Sequence, residues 1–402
     1  MKALGKTAFS LLLPFFVSTF LYAQQPPPIP VIDQAMRAQL RRIYRAGIAA
    51  GNRPSVFAKV GDSITHGKYN LSDIGCGVEV LARYQYLAPT IDFFRSIRFP
   101  QDFTTSWCGI ANSFSRDTLA AANGWTADQP LIRFPNPISA CPYPDNNPLR
   151  CEFRLIQPSI AFIMFGTNDV EENDPKKFRK NLTAVVQETI IAGVVPILST
   201  IPPRLDDPTI GRRVDPYNVI IRDIAETLQV PLWNYWAVLT GPGMINQGMD
   251  RLGIHPSVYN GTGSAVFTPE ALRYGFNQRN LMTVQILKKI QGMVENNAPA
   301  DETSRPNFTL FPDPLSISVR RGKSFTFKIS ILQSNRNGAI VLTLKAHPAG
   351  ISGQFQMSPT GKSAMLLLNV RSGVATGRYR ITVRGTNGTI VRTTTVAVRV
   401  HN

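Results

Sequence analysis

Ser63 stands in Gly61-Asp62-Ser63-Ile64-Thr65, directly behind the apolar run Ser55-Val56-Phe57-Ala58-Lys59-Val60. A small-residue turn after a β-like run lifts a hydroxyl out of the sheet edge, where a base can reach it. Serine is a poor nucleophile at neutral pH, so it needs a base to accept its proton and donors to hold the oxyanion that follows. With four histidines in the chain, the search for the base is short. His347 and His401 fall in a C-terminal region of β character, and His66 is three residues past the serine, where its own turn aims it away. His255, in Gly253-Ile254-His255-Pro256-Ser257, remains as the candidate base.

Two segments offer oxyanion donors besides the Ser63 amide. Gly166-Thr167-Asn168-Asp169 follows the apolar run Ile160 to Phe165, and open α/β sheets place their ligands at the carboxyl ends of such strands. Asn168 can point a side-chain amide into that crevice. Gly124, in Asn123-Gly124-Trp125-Thr126-Ala127-Asp128, can offer a backbone N–H with no Cβ in the way.

The elements needed to position these residues are legible around them. Helical spacing runs over 35–50, 178–192, 217–228 and 281–294, and apolar runs over 56–60, 160–165, 194–198 and 230–233 read as core strands. Strand and helix in alternation predict a parallel sheet with helices on both faces. From about residue 307 the helical period gives way to short alternating runs separated by Gly and Asn turns, which predict a small β-sandwich. The expected organisation is a signal peptide over 1–23, a Pro-rich linker over 24–34, a catalytic domain over 35–296, a linker over 297–306 and the sandwich over 307–402.

The blocks Gly-Asp-Ser, a loop glycine, Gly-Thr-Asn-Asp and Ile-His-Pro-Ser, in that order over residues 54–295, resemble the SGNH (GDSL-like) hydrolase family. The resemblance implies a flavodoxin-like three-layer α/β/α fold and removal of acyl groups from esters without a metal or other cofactor. It implies Ser63 as nucleophile, His255 as base, and the Ser63 amide, Gly124 and Asn168 as the oxyanion hole. The family carries an Asp three residues before its His, to orient the imidazole. Leu252 holds that position here, and Asp250 lies two residues upstream. Three readings stay open: Asp250 orients the ring across a bulged loop, a backbone carbonyl does so in a Ser-His dyad, or the site is impaired. Gly377-Arg378-Tyr379-Arg380-Ile381-Thr382-Val383-Arg384-Gly385 resembles the penultimate strand of immunoglobulin-like modules on secreted bacterial enzymes, which implies a spacer or adhesion role.

Composition sets the compartment and the partners. Lys2 and Lys6, an apolar stretch and a small residue at Ala23 describe a secretory signal peptide, so the expected location is secreted, extracellular or cell-envelope. No later stretch is apolar enough to span a bilayer. The four cysteines, Cys76, Cys108, Cys141 and Cys151, then favour disulfides over metal ligation. Cys141 with Cys151 is the most local of three connectivities and leaves Cys76 for Cys108. A net charge of +17 attracts anionic surfaces, but the basic residues are scattered and do not interleave with aromatics as a nucleic-acid surface would. The expected function is a serine esterase cleaving small acyl esters on a carbohydrate or another extracellular polymer. The alternatives are an impaired binding or adhesion protein of the same fold, and an acyltransferase or lipase using the same Ser-His site.

Overall fold

The computed structural model describes residues 27–100, 107–134, 141, 147–295, 307–314, 316–334, 338–388 and 390–402. The expected signal peptide and the 297–306 linker lie outside the described residues. Four parallel strands, β1 (Arg53–Gly61), β2 (Pro158–Met164), β3 (Val195–Ser199) and β4 (Leu232–Trp233), form one sheet in that order. Every residue of β2 is buried, as a strand covered by helices on both faces requires. The registers align the carboxyl ends: Gly61 stands beside Met164, Ile163 beside Leu198 and Ser199 beside Trp233. The two loops that open the site therefore leave the sheet side by side. The outer edge of β1 is covered by the segment around Ala120, whose carbonyl accepts from the Gly61 N–H at 3.0 Å. This is the flavodoxin-like α/β arrangement expected from the sequence, followed by all-β sheets.

Two local differences have physical reasons. The helix expected from Tyr217 begins at Pro208 and runs to Leu228 with Pro216 inside it. Pro208 occupies the first turn, where no N–H is needed, and the Asp207 carboxylate accepts from Thr209 N at 2.6 Å. The segment expected as an extended tether is packed where it is described: Ile32 is fully buried and the Pro28 carbonyl accepts from Asn234 N at 3.1 Å. Both expected disulfides are present, Cys76–Cys108 and Cys141–Cys151, with Cα atoms 6.0 and 5.8 Å apart.

The C-terminal region forms two four-stranded sheets. One has the order β5 (Asn307–Asp313), β7 (Ser324–Ser334), β10 (Ser363–Val370), β9 (Ile351–Met357). The other has β6 (Ser316–Arg320), β12 (Val391–His401), β11 (Gly377–Thr386), β8 (Val341–Ala346). Alternate residues such as Leu366, Leu368, Val396 and Val398 fill the core between them. Strands β5 and β9 escaped the sequence pattern. In β9, an edge strand, only Ile351 is buried, so little alternation is written there. The sandwich rests on the α/β domain through Arg392 with Glu226 at 3.2 Å and Thr309 Oγ1 with Gln229 Oε1 at 3.0 Å.

Candidate active site

Ser63 is the first residue of a one-turn helix, Ser63–His66, that starts where β1 ends. Its own N–H has no intrahelical acceptor at that position and is available to a ligand. The turn is tight because Gly61 has no Cβ: one there would collide with Thr65 Oγ1 and lie 2.5 Å from the Met164 carbonyl. Asp62 caps the helix, its Oδ1 accepting from Ile64 N at 3.0 Å. The carboxyl is fully buried, and that burial raises its pKa to about 6.

His255 reaches Ser63 from the far end of the domain, with Nε2 2.9 Å from Ser63 Oγ. It sits on a turn closed by Asp250 N–H to the His255 carbonyl at 2.8 Å and by Ile254 N–H to Asp250 Oδ1 at 3.3 Å. The bulge brings Asp250 Oδ2 to 3.9 Å from His255 Nδ1, within the reach of an ion pair and beyond that of a hydrogen bond. Leu252, at the family's Asp position, points into solvent with 70% exposure.

Asn168, expected as an oxyanion donor, sits on the loop after β2. Asn168 Nδ2 donates to the Trp125 carbonyl at 2.9 Å, which ties the amide to the Gly124 loop and leaves its second hydrogen for a substrate oxygen. Gly124 has φ +75°, a conformation that suits glycine, and space around the position of a Cβ is open. Ser63, His255, Asn168 and the Gly124 loop thus converge, with Asp250 at the margin.

Four further residues support this arrangement and were given no role by the motifs. Asp169 is buried, its Oδ1 accepting from Ala127 N at 3.0 Å, and burial with Asp62 nearby raises its pKa to about 7. Thr167 Oγ1 is near enough to Asp62 to favour its ionised form but outside bonding geometry. Arg204, 2% exposed, donates to the Thr167 carbonyl at 2.6 Å and is held by Asp206 and Glu171. Its neighbour Leu205 N–H donates to the Gly253 carbonyl at 2.9 Å, so a single strap braces both the Thr167–Asn168 loop and the histidine turn.

Arg279 is buried behind the Ser63 helix, bonded to Asn70 Oδ1 at 3.1 Å and stacked 4.8 Å from the centre of the Trp233 ring. Among the described residues no carboxylate lies within ion-pair distance of it, and Asp62 supplies the opposing charge from further away. Asp62 and Asp169 could have been suspected, since each adjoins a residue with an assigned role. Arg279 is one cation in an otherwise ordinary helical pattern and carries no such signal. Among the described residues no three His, Cys, Asp or Glu side chains come together as a metal-binding group.

Residues 60–259 match the GDSL-like Lipase/Acylhydrolase family. The uncharacterized lipoprotein YqeF of Bacillus subtilis (strain 168) is 33% identical over 107 residues, covering 20% of this chain and 44% of that protein. The chain thus spans less than half the length of this curated relative. Among solved structures, a GDSL-like lipase from Bacteroides thetaiotaomicron VPI-5482 is similar over 63% of this chain and 98% of its own, with 16% identity and a TM-score of 0.37. Domains 4 and 5 of the S-layer protein SbsC are similar over 24% of this chain and 54% of their own, with 24% identity and a TM-score of 0.19. Residues 60–259 thus form a domain of the GDSL-like lipase/acylhydrolase family.

Proposed function

We propose that the protein is an exported serine esterase acting through a covalent acyl-enzyme. The observation that carries this reading is the 2.9 Å contact between Ser63 Oγ and His255 Nε2. In this reading the Ser63 oxygen attacks the ester carbonyl carbon while its proton passes to Nε2. The carbonyl π electrons move to the oxygen, which is held by the Ser63 and Gly124 N–H groups and the free hydrogen of Asn168 Nδ2. Collapse expels the alcohol, which takes the proton from His255, and a water molecule repeats the sequence to release the acid. Asp250 faces the imidazole Nδ1 across 3.9 Å and orients it without a hydrogen bond.

The substrate is a small acyl ester on a carbohydrate or another extracellular polymer, and the appended sandwich supports work at a surface. Disulfide pairs and the lipoprotein relative support an extracellular or envelope location. The 3.9 Å gap at Asp250 favours a second reading, an impaired hydrolase retained for binding. An acyltransferase would use the same residues with another acceptor in place of water.

Hydrolysis of p-nitrophenyl acetate and longer acyl esters by the purified chain, beside Ser63→Ala, decides between turnover and binding. The esterase reading expects a loss of at least ~10³-fold in kcat. It also expects an acyl adduct on Ser63, visible by mass spectrometry after acid quench. Equal rates for the two proteins across all esters would refute it and leave binding or transfer.

A further inference from the structure

At the turns that leave β1 and β2, three buried oxygens have no hydrogen-bond partner among the described residues: Asp62 Oδ2, Thr167 Oγ1 and Asp169 Oδ2. Their residues are 4% exposed or less, and an unpaired polar atom is costly in so dry a place. The three belong to one neighbourhood, since Gly61 pairs with Met164, the Thr167 hydroxyl acts on Asp62, and the charge of Asp62 acts on Asp169. With both carboxyls ionised, the Thr167 hydroxyl carries the one hydrogen available to them, and it can serve only one. The surrounding charges do not make up the difference. Arg279 opposes Asp62 from the helix Gly275–Val294, while Glu172 adds a like charge beside Asp169. Tyr217 donates to the Asp169 carbonyl at 3.1 Å, and Arg204 and Arg213 donate to the Thr167 and Val170 carbonyls at 2.6 and 3.1 Å, none of them reaching a carboxyl oxygen of the pair. Burial therefore raises the pKa of both carboxyls, and the Asp62 charge raises that of Asp169 further.

We infer that Asp62 and Asp169 share one proton, with the Thr167 hydroxyl as their second hydrogen, and that this proton clamps the Ser63 turn to the Gly124–Ala127 loop. The remaining oxygen of each carboxyl shows what the clamp holds. Asp62 Oδ1 accepts from Ile64 N at 3.0 Å on the Ser63 helix, and Asp169 Oδ1 accepts from Ala127 N at 3.0 Å. Two residues before Ala127, the Trp125 carbonyl holds the Asn168 amide. Loss of the shared proton leaves two like charges in a low dielectric with one hydroxyl between two acceptors, which drives the two segments apart. Asp62 and Asp169 are thus positioning residues, and turnover falls at alkaline pH for a reason separate from the acid fall caused by protonation of His255. The effect on turnover rests on the esterase reading; the shared proton does not.

The test reads the proton first, by infrared difference spectra of the full chain at pH 6. The wild type is expected to show a carboxylic-acid C=O band that is missing from both Asp62→Asn and Asp169→Asn, because either amide supplies a permanent hydrogen and leaves the other carboxyl ionised. Loss of the band in one variant only would assign the proton to a single residue and overturn the pair, as would its absence from the wild type. Thr167→Val keeps the question decidable if an Asn variant fails to fold. Without the hydroxyl that favours ionisation, its band should persist to higher pH than in the wild type, and an unmoved band would overturn the cluster. In hydrolysis of p-nitrophenyl acetate, kcat should fall above the pH at which the band disappears. Asp169→Ala should lose about tenfold in kcat at pH 6, whereas Asp169→Asn should stay within about threefold of wild type and carry the alkaline fall about one pH unit higher. An alkaline fall unmoved by Asp169→Asn would overturn the clamp. A chain without turnover refutes the esterase reading alone, and the infrared bands then decide the shared proton by themselves.

Discussion

Ser63 and Asn168 stand at strand ends backed by side chains that are almost wholly out of water, whereas His255 and Asp250 ride an outer turn with 37% and 31% of their side chains exposed. Asp62, Asp169, Arg204 and Arg279 are each 4% exposed or less. On the first side, position is fixed by buried polar contacts that are strong in a low dielectric and costly to break. On the second, one turn does the positioning, and its carboxylate interacts with the imidazole through a partly solvated gap. Apart from His255, whose ring is itself the base, removing a group from the buried side should therefore cost more than removing one from the exposed side.

Asn168→Ala should reduce kcat for p-nitrophenyl acetate by about 10² to 10³-fold with little change in KM, the cost of losing one preorganised oxyanion donor. A loss confined to KM would place Asn168 outside the transition-state contacts. Asp250→Ala should cost only about tenfold, because at 3.9 Å it makes no hydrogen bond, whereas buried hydrogen-bonded triad aspartates are worth about 10⁴-fold. A loss near the larger figure would show that Asp250 closes on the ring during turnover, and the contrast between the two sides would fail.

Asp169 offers a pH test of the buried side. Its folded pKa is raised by burial to about 7, above the ordinary 3.8 that it regains on unfolding. The folded state then binds more protons between these values, so this group lowers stability as pH rises from about 4 to 7, and the loss is complete above the folded pKa. Asp62, raised to about 6, acts in the same direction over a narrower window. The melting temperature of Asp169→Asn relative to wild type should climb across pH 4 to 7 and level off above it. A constant difference would mean that Asp169 titrates like a surface carboxylate. The smallest effect belongs to Leu252→Asp. Restoring the family's residue at a position that points into solvent should change kcat less than twofold, and a clear gain would show that the turn can rearrange to present it.

The same division explains what the sequence could reveal. Ser63 and Asn168 follow apolar strands, and a strand followed by a small-residue turn is a local pattern, so sheet, serine and amide are readable together. His255 is readable because the chain has only four histidines. Asp250 is readable only as one of three alternatives, because a bulge in a turn is decided by hydrogen bonds such as Asp250 N–H to the His255 carbonyl, which no periodicity encodes. Arg279 was invisible for a related reason: its burial depends on Trp233 and Tyr235 arriving from another segment. The sandwich was legible where strands alternate, and β9 was missed because an edge strand need not.

The contact between Ser63 and His255 joins positions 192 residues apart. Like Tyr44 with Glu295 and Leu71 with Asn280, this pairing demands a long closure, whose ordering entropy grows with the length of the loop. Both disulfides fall inside this interval, so oxidation shortens the chain that must be closed before the two residues meet. Ester turnover would then serve as a folding clock: its appearance during refolding would mark the moment at which the whole span from nucleophile to base has come together, later than signals from any single helix or strand.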